Sequence, residues 1–166
     1  VDSYAYFDGL NRPIQSRTEM EDSNTFAVTD TIYNTNGEVY KQSLPYSSAG
    51  SAKTSATTTS ALLTTNTYDA MSRVTNTSNA IGSSTNTYDD WKLTITDPRG
   101  KLKDLYNDAY GNLVRVDEHN GTSIYTTTYN YNGNNNLTKI TDALSNERNF
   151  TYDALGRQLT AQDLHA

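Results

Sequence analysis

The 166-residue sequence has no cysteine, three prolines, two methionines and a single tryptophan. Without cysteine there is no disulfide, no thiol nucleophile and no thiolate metal site, a composition compatible with bacterial export. Apolar residues are scarce: 34% of the chain is hydrophobic and mean hydropathy is -0.75, too little to fill a thick core. No run of 18 apolar residues occurs, so the sequence predicts no membrane-spanning helix. Basic charge is also short. Thirteen Lys and Arg face 19 Asp and Glu, a net charge of -6. With no run of Lys or Arg, a nucleic-acid backbone is excluded as the expected partner. Stretches rich in Ala, Leu, Glu and Lys, from which helices are built, are missing as well.

What remains is Tyr (13), Thr (26) and Asn (18). Tyr and Thr suit a pleated, half-buried surface, while Asn and Gly suit the turns between strands. The expected class is all-β. A hexapeptide sets the organisation: Tyr152-Asp153-Ala154-Leu155-Gly156-Arg157 returns as Tyr68-Asp69-Ala70-Met71-Ser72-Arg73 and as Phe7-Asp8-Gly9-Leu10-Asn11-Arg12. Eroded copies begin at Tyr33 (with Gly37), Tyr106 (with Gly111) and Tyr131 (with Gly133), and Tyr88-Asp89 keeps only the first half. A unit of about 20 residues recurring seven times is the signature of a repeat architecture.

Within one unit the pattern predicts two strands and two turns. After the turn at Tyr131, Leu137–Thr141 reads as a strand, Asp142–Asn146 as a second turn, and Arg148–Tyr152 as an alternating, half-buried strand. The same grammar predicts strands at Val74–Thr77, Leu93–Thr96, Leu113–Val116 and Tyr125–Tyr131. It predicts opposite turns at Asn79–Gly82, Asp97–Gly100 and Glu118–Gly121. Residues 45–65 break it: small and polar, they read as a Ser/Thr/Ala insertion, a surface loop or partly ordered strand. The chain therefore divides into repeats 1–2 (residues 1–44), the insertion (45–65) and repeats 3–7 (66–166). Val1 has no Met before it, and both ends read as cuts through a longer polypeptide.

Each motif residue has an expected structural role. Asp caps its own turn, Gly supplies backbone freedom, Tyr stacks on the next unit's Tyr, and Arg ties units together by lying along a neighbouring strand or pairing with an Asp of an adjacent repeat. These motifs, with Asp97-Pro98-Arg99-Gly100 between them, resemble the RHS/YD repeats over nearly the whole chain outside residues 45–65. The resemblance implies antiparallel β-hairpins forming a curved strip or β-solenoid-like shell segment, as in bacterial Rhs toxins, Tc-toxin cocoons, wall-associated proteins and teneurins. It implies a non-catalytic scaffolding or encapsulating role, at the cell surface or secreted. Implied partners are neighbouring repeats or other copies of the chain, an encapsulated toxin domain, or a glycan. Complete shells need more than seven repeats, so the chain is expected to be a piece of wall.

Some residues invite a sharper chemical reading. Asp97-Pro98-Arg99-Gly100 resembles the family's autoproteolytic signature, but Asp142-Ala143-Leu144-Ser145 lacks the Pro and Gly of a second copy, so a turn is expected. His119 and His165 are the two histidines; His119, placed in a turn beside Asp117 and Glu118, is expected to be solvated and not catalytic. Asp89-Asp90, Asp104 to Asp108 and Asn132 to Asn136 offer oxygens, but none has EF-hand spacing. Neither metal nor cofactor is expected. Trp91 is expected to plug a local core, with Trp91, Tyr125 and Tyr129 as the alternative ligand platform of a carbohydrate-binding adhesive module. A self-assembling extracellular filament is the second alternative, because open sheet edges template pairing.

Overall fold

The structure, a computed structural model, describes residues 1–22 and 24–164, the side chains of residues 61 and 164 excepted. His165 lies outside the described residues. The first strands are β1 (Ser3–Phe7), β2 (Pro13–Glu19), β3 (Thr25–Tyr33), β4 (Val39–Ser43) and β5 (Tyr46–Ala49). A short 3-10 turn, Ser60–Leu62, leads into β6 (Leu63–Tyr68), β7 (Val74–Asn79) and β8 (Gly82–Asp89). Then come β9 (Lys92–Thr96), β10 (Leu102–Asn107), β11 (Leu113–Asn120) and β12 (Ser123–Tyr131). β13 (Leu137–Thr141), β14 (Glu147–Tyr152) and β15 (Gln158–Leu164) complete the chain.

The protein is all-β and antiparallel. Strands pair in chain order from β1 to β15, except that β5 leaves this path to pair with β3. Among the described residues there is no α-helix, and no helix is long and apolar enough to cross a membrane. β11 is longer than its predicted first half. It runs through Glu118 and His119 to Asn120, because Gly121, at φ 64°, lets a two-residue connection reverse the chain. His119 is thus a strand residue and not the turn residue expected from its neighbours.

Two compact units divide the chain, residues 1–85 and 86–166, with β8 straddling the division. In the first unit, Phe26 and Val28 are buried on β3 and alternate with outward residues. Tyr4 meets Phe26 edge-on at 5.9 Å between ring centres. The same face carries polar residues that are equally buried: Asp30 on β3, Gln15 and Arg17 on β2. β4 and β5 share one edge of β3, Thr31 pairing with Gln42 and Val28 with Tyr46. Pro45 lies between them and has no N–H to give the ladder. Next to this break, the Asp30 N–H is satisfied by Ser43 Oγ at 2.8 Å. The chain then doubles back, and Thr54 and Thr57 hydrogen-bond to Gln15 and Asp30. Residues 45–65 thus hold β5, this crossing strap, the 3-10 turn and the start of β6.

The second unit differs. Among its described residues the buried ones are Asp104 on β10 and Asp117 on β11, and no large apolar side chain is buried to the same degree.

Candidate functional site

The repeat motif builds one turn over and over. At Asp8, Asp69 and Asp153 the backbone N–H of the first residue donates to the carbonyl of the fifth at 3.0 Å, and the N–H of the fourth returns to the carbonyl of the first. The Asp Oδ1 accepts from the N–H groups of the third and fifth residues at 2.9–3.0 Å. Its Oδ2 accepts the Nε–H of Arg12, Arg73 or Arg157 at 2.6–2.7 Å. The fourth residue takes positive φ: Asn11 at 60°, Ser72 at 60°, Gly156 at 77°. This is a type I turn closed by a left-handed bulge, and it shifts register at the aromatic residue before it.

The eroded copies fold the same way. Asn34, Asp108 and Asn132 open equivalent turns, with Gly37, Gly111 and Asn135 at positive φ. In the copy at Tyr131, Asn135 and not Gly133 is the bending residue. The opposite turns at Asp97 and Asp142 make the same ring of hydrogen bonds, with Gly100 and Ser145 bending. The legible signal is Asp or Asn followed three residues later by Gly, Asn or Ser. Among the Tyr-anchored units the fourth departs, its connection reduced to Asp90 and Trp91, with Asp90 at φ 47°; the β7–β8 and β11–β12 connections are two residues long as well.

Two expected roles are corrected by this geometry. Each motif Arg pairs with the Asp of its own turn, four residues back, and not with a neighbouring unit's Asp. The link between units comes partly from stacking instead, Arg12 lying 4.3 Å over the Tyr33 ring. Nor, among the described residues, do Tyr33, Tyr68, Tyr131 and Tyr152 stack on one another as a ladder. Tyr33, Tyr68, Tyr131 and Tyr152 donate their hydroxyls to the carbonyls of Pro13, Val39, Leu113 and Leu137. Each acceptor is the residue directly after the preceding repeat turn, so the phenol length spaces one repeat from the next. In the Tyr106 copy the turn opens at Asp108, so Asn107 and not Tyr106 holds the position before it; Tyr106 lies between Lys92 and Arg115, which sit over its ring at 5.6 and 5.1 Å.

Six carboxylates are shifted toward the ionised form. Asp8, Asp69 and Asp153 lie below the ordinary carboxylate range, chiefly through the backbone N–H of the fifth residue. Asp108 does so chiefly through the Asn112 carboxamide. On the second unit's face, Asp104 and Asp117 stand directly opposite each other on β10 and β11. Like charges so placed repel, and each has its own compensation. Asp104 accepts from Thr94 Oγ1 at 2.6 Å and lies 3.0 Å from His119 Nε2 and 3.1 Å from Lys92 Nζ. Burial pushes its carboxyl up, but these bonds outweigh burial and hold it below the usual value. Asp117 takes Arg115 Nε and Nη2 at 2.8 and 2.6 Å, and Thr126 Oγ1 at 2.7 Å; Arg115 is the main cause of its lowered pKa.

No catalytic constellation is assembled from the candidates. The Asp97 and Asp142 carboxylates each cap their own turn, where two backbone N–H groups hold Oδ1. Asp108 and Asn132 are likewise committed to their turns. Among the described residues no group of three His, Asp or Glu side chains is placed to hold a metal ion. Trp91 is 61% exposed at the β8–β9 tip, so it does not plug a core as expected. Tyr125 and Tyr129 lie on β12, Tyr125 half exposed. Three strand spacings, about 14 Å, separate β12 from β9 beside Trp91, so the structure does not bring the three rings together.

Comparison with known proteins agrees with this construction. The family described as RHS Repeat matches residues 106–145 and 131–163, and that described as Domain of unknown function (DUF6443) matches residues 1–93. Among curated proteins none matches. Among solved structures, a chain of the TcdB2-TccC3-Cdc42 structure superposes with a TM-score of 0.78 at 17% identity, covering 98% of this chain. A chain of the TcdB2-TccC3 structure gives 0.68 at 16% identity over 96% of this chain. A chain of the Photorhabdus luminescens Tc holotoxin pore gives 0.67 at 16% identity over 97%. The chain spans about a tenth of the length of each, 10%, 11% and 11% respectively. A recurring Asx-capped bulge turn, a Tyr that measures each repeat against the last, and these matches lead to one conclusion: residues 106–163 are RHS/YD repeats, and the chain belongs to the family described as Domain of unknown function (DUF6443), which covers more than half of it.

Proposed function

We propose that this structural repeat segment is non-catalytic and serves as a stretch of wall in a secreted or surface-exposed bacterial protein that scaffolds or encloses a partner. One observation carries the reading. Eight turns, at Asp8, Asn34, Asp69, Asp97, Asp108, Asn132, Asp142 and Asp153, spend their Asp and Asn side chains on their own backbone. Side chains committed to shape leave little for chemistry. The fold shared with long Tc-toxin chains, of which this chain spans about a tenth, supports a role as one section of something larger.

The test has two arms. Purified chain is assayed for hydrolytic and proteolytic activity; an activity lost in Asp97→Asn or Asp142→Asn overturns the non-catalytic reading. Protease is then added to intact producing cells and to culture medium. Detection of the chain in the medium or its removal from the cell surface supports exposure. Confinement behind the cell envelope overturns it.

A further inference from the structure

We propose that the first unit's β2–β3 face is a peptide-binding cradle, now filled in cis by residues 50–57, which accepts the same segment from a second copy of the chain. The cradle is made of Gln15, Arg17, Asp30 and Tyr46. Its contacts with the strap read mainly backbone. The Gln15 carboxamide pairs both ways with Thr54: Oε1 accepts its N–H at 3.0 Å and Nε2 donates to its carbonyl at 3.3 Å. Arg17 Nη1 donates to the Gly50 carbonyl at 2.5 Å. Asp30 Oδ2 accepts the Thr57 N–H at 2.8 Å. Tyr6 donates its hydroxyl to the Ser51 carbonyl. The side chain read in the strap is that of Thr54, whose Oγ1 lies 2.7 Å from Arg17 Nη2 and 3.5 Å from Gln15 Nε2. An extended peptide with a hydroxyl at one position satisfies this pattern.

The cradle is organised from within. Gln15 Nε2 donates to Asp30 Oδ1 at 2.7 Å, Arg17 Nε to Gln15 Oε1 at 3.0 Å, and the Tyr46 hydroxyl to Asp30 Oδ2 at 2.8 Å. Gln15, Arg17 and Asp30 are 3%, 0% and 1% exposed, whereas residues 52–55 of the strap are exposed. A cavity of about 310 Å³, lined by Gln15, Asp30, Tyr33, Lys53, Thr54 and Ala56 among others, lies beside the strap. Hydrogen bonds to a prepared polar surface hold the strap, and packing adds little. Its Ser, Thr, Ala and Gly residues carry no apolar anchor of their own. A cis occupant on so short a tether has an effective concentration in the millimolar range, so one copy alone keeps its strap at home. Exchange between two copies remakes every contact it breaks, as in segment swapping.

Two full-length variants separate donor from acceptor. Thr54→Pro with Thr57→Pro removes the two strap N–H groups the cradle accepts, and leaves an open acceptor. Gln15→Ala breaks the cradle and leaves a free donor. Each is expected to be monomeric by light scattering, and an equimolar mixture to form a heterodimer. A fluorescent peptide of residues 50–59 is expected to bind the acceptor at least tenfold more tightly than the intact chain. Adding Gln15→Ala to the acceptor should cost at least tenfold in that affinity. A folded acceptor that binds no peptide overturns the cradle, and peptide binding without a heterodimer overturns the second copy as its occupant. Should the Pro variant fail to fold, hydrogen exchange on the intact chain decides. The Thr54 and Thr57 amides must exchange by local opening, faster than Val28; exchange only on global unfolding overturns the proposal.

Discussion

The two units use the same turn to different ends. The first covers a polar face: Arg17, Gln15 and Asp30 are buried beside Phe26 and Val28, and a strap of the chain's own residues closes over them. The second leaves its face uncovered and neutralises it by charge, with Asp104 and Asp117 opposed and each supplied with a cation and a hydroxyl. A sheet with few apolar residues thus has two ways to keep buried polar groups satisfied. It can fold chain over them, or set donors beside them along the strand rows. Among the described residues, no buried side-chain N or O atom lacks a partner.

The largest expected effect tests the covered face. Asp30→Ala strips acceptors from Gln15, Tyr46 and the Thr57 N–H around a carboxylate that is itself 1% exposed. Leaving buried donors unpaired costs about 3 kcal/mol. Hydrogen exchange should show that loss at the Phe26 and Val28 amides, with the β10–β12 amides unchanged. Equal losses in both places would mean that the units do not differ in the way described.

Acid tests the uncovered face. Asp104 and Asp117 have folded pKa values below the unfolded value near 3.9. Their stabilisation is therefore complete above that value and is lost as pH falls through the folded pKa. Fluorescence of Trp91, which belongs to the second unit, should report loss of structure only below about pH 4. Asp104→Asn with Asp117→Asn should flatten that acid limb. An unchanged acid profile in the double variant would remove the charge row from the account.

Strand identity and order were legible in the sequence, because Tyr, Thr and Val at period two and Asn or Asp turns are local signals. Leu137–Thr141 was read from residue types with the bounds the structure has. The cradle was not legible. It joins Gln15 to Thr54 and Arg17 to Gly50, pairs more than 30 residues apart, and the strap's own composition carries no apolar periodicity to announce a buried partner. Tyrosines recurring before the turns are visible in the sequence, but the acceptors of Tyr33, Tyr68, Tyr131 and Tyr152 are carbonyls, which no side-chain pattern reveals.

A smaller effect separates the turns that both units share. Ser72 occupies a left-handed position at φ 60° that Gly takes at 86° in the turn containing Gly111. Ser72→Gly is expected to stabilise the first unit by roughly 0.5 kcal/mol, and Gly111→Ala to destabilise the second by about 1 kcal/mol. A Cβ on Gly111 meets nothing within 4 Å, so backbone strain alone is measured. Thermal melts read both. A neutral Gly111→Ala would mean that the bulge carries no conformational demand.

The smallest expected effect concerns the arginine that closes the motif. Arg157 pairs with Asp153 at 2.6 Å, yet its side chain is 75% exposed. Exposed pairs contribute little, since the ordering of a long side chain offsets the attraction. Arg157→Ala should therefore leave the melting temperature where it was. Arg12 makes the same ion pair with Asp8, is 29% exposed, and in addition lies over the Tyr33 ring of the next repeat. Arg12→Ala should lower the melting temperature measurably, and Arg12→Lys should recover little of it, because an ammonium does not stack as a guanidinium plane does. Equal effects at the two positions would place the value of this arginine in the ion pair. Unequal effects would place it in the step from one repeat to the next.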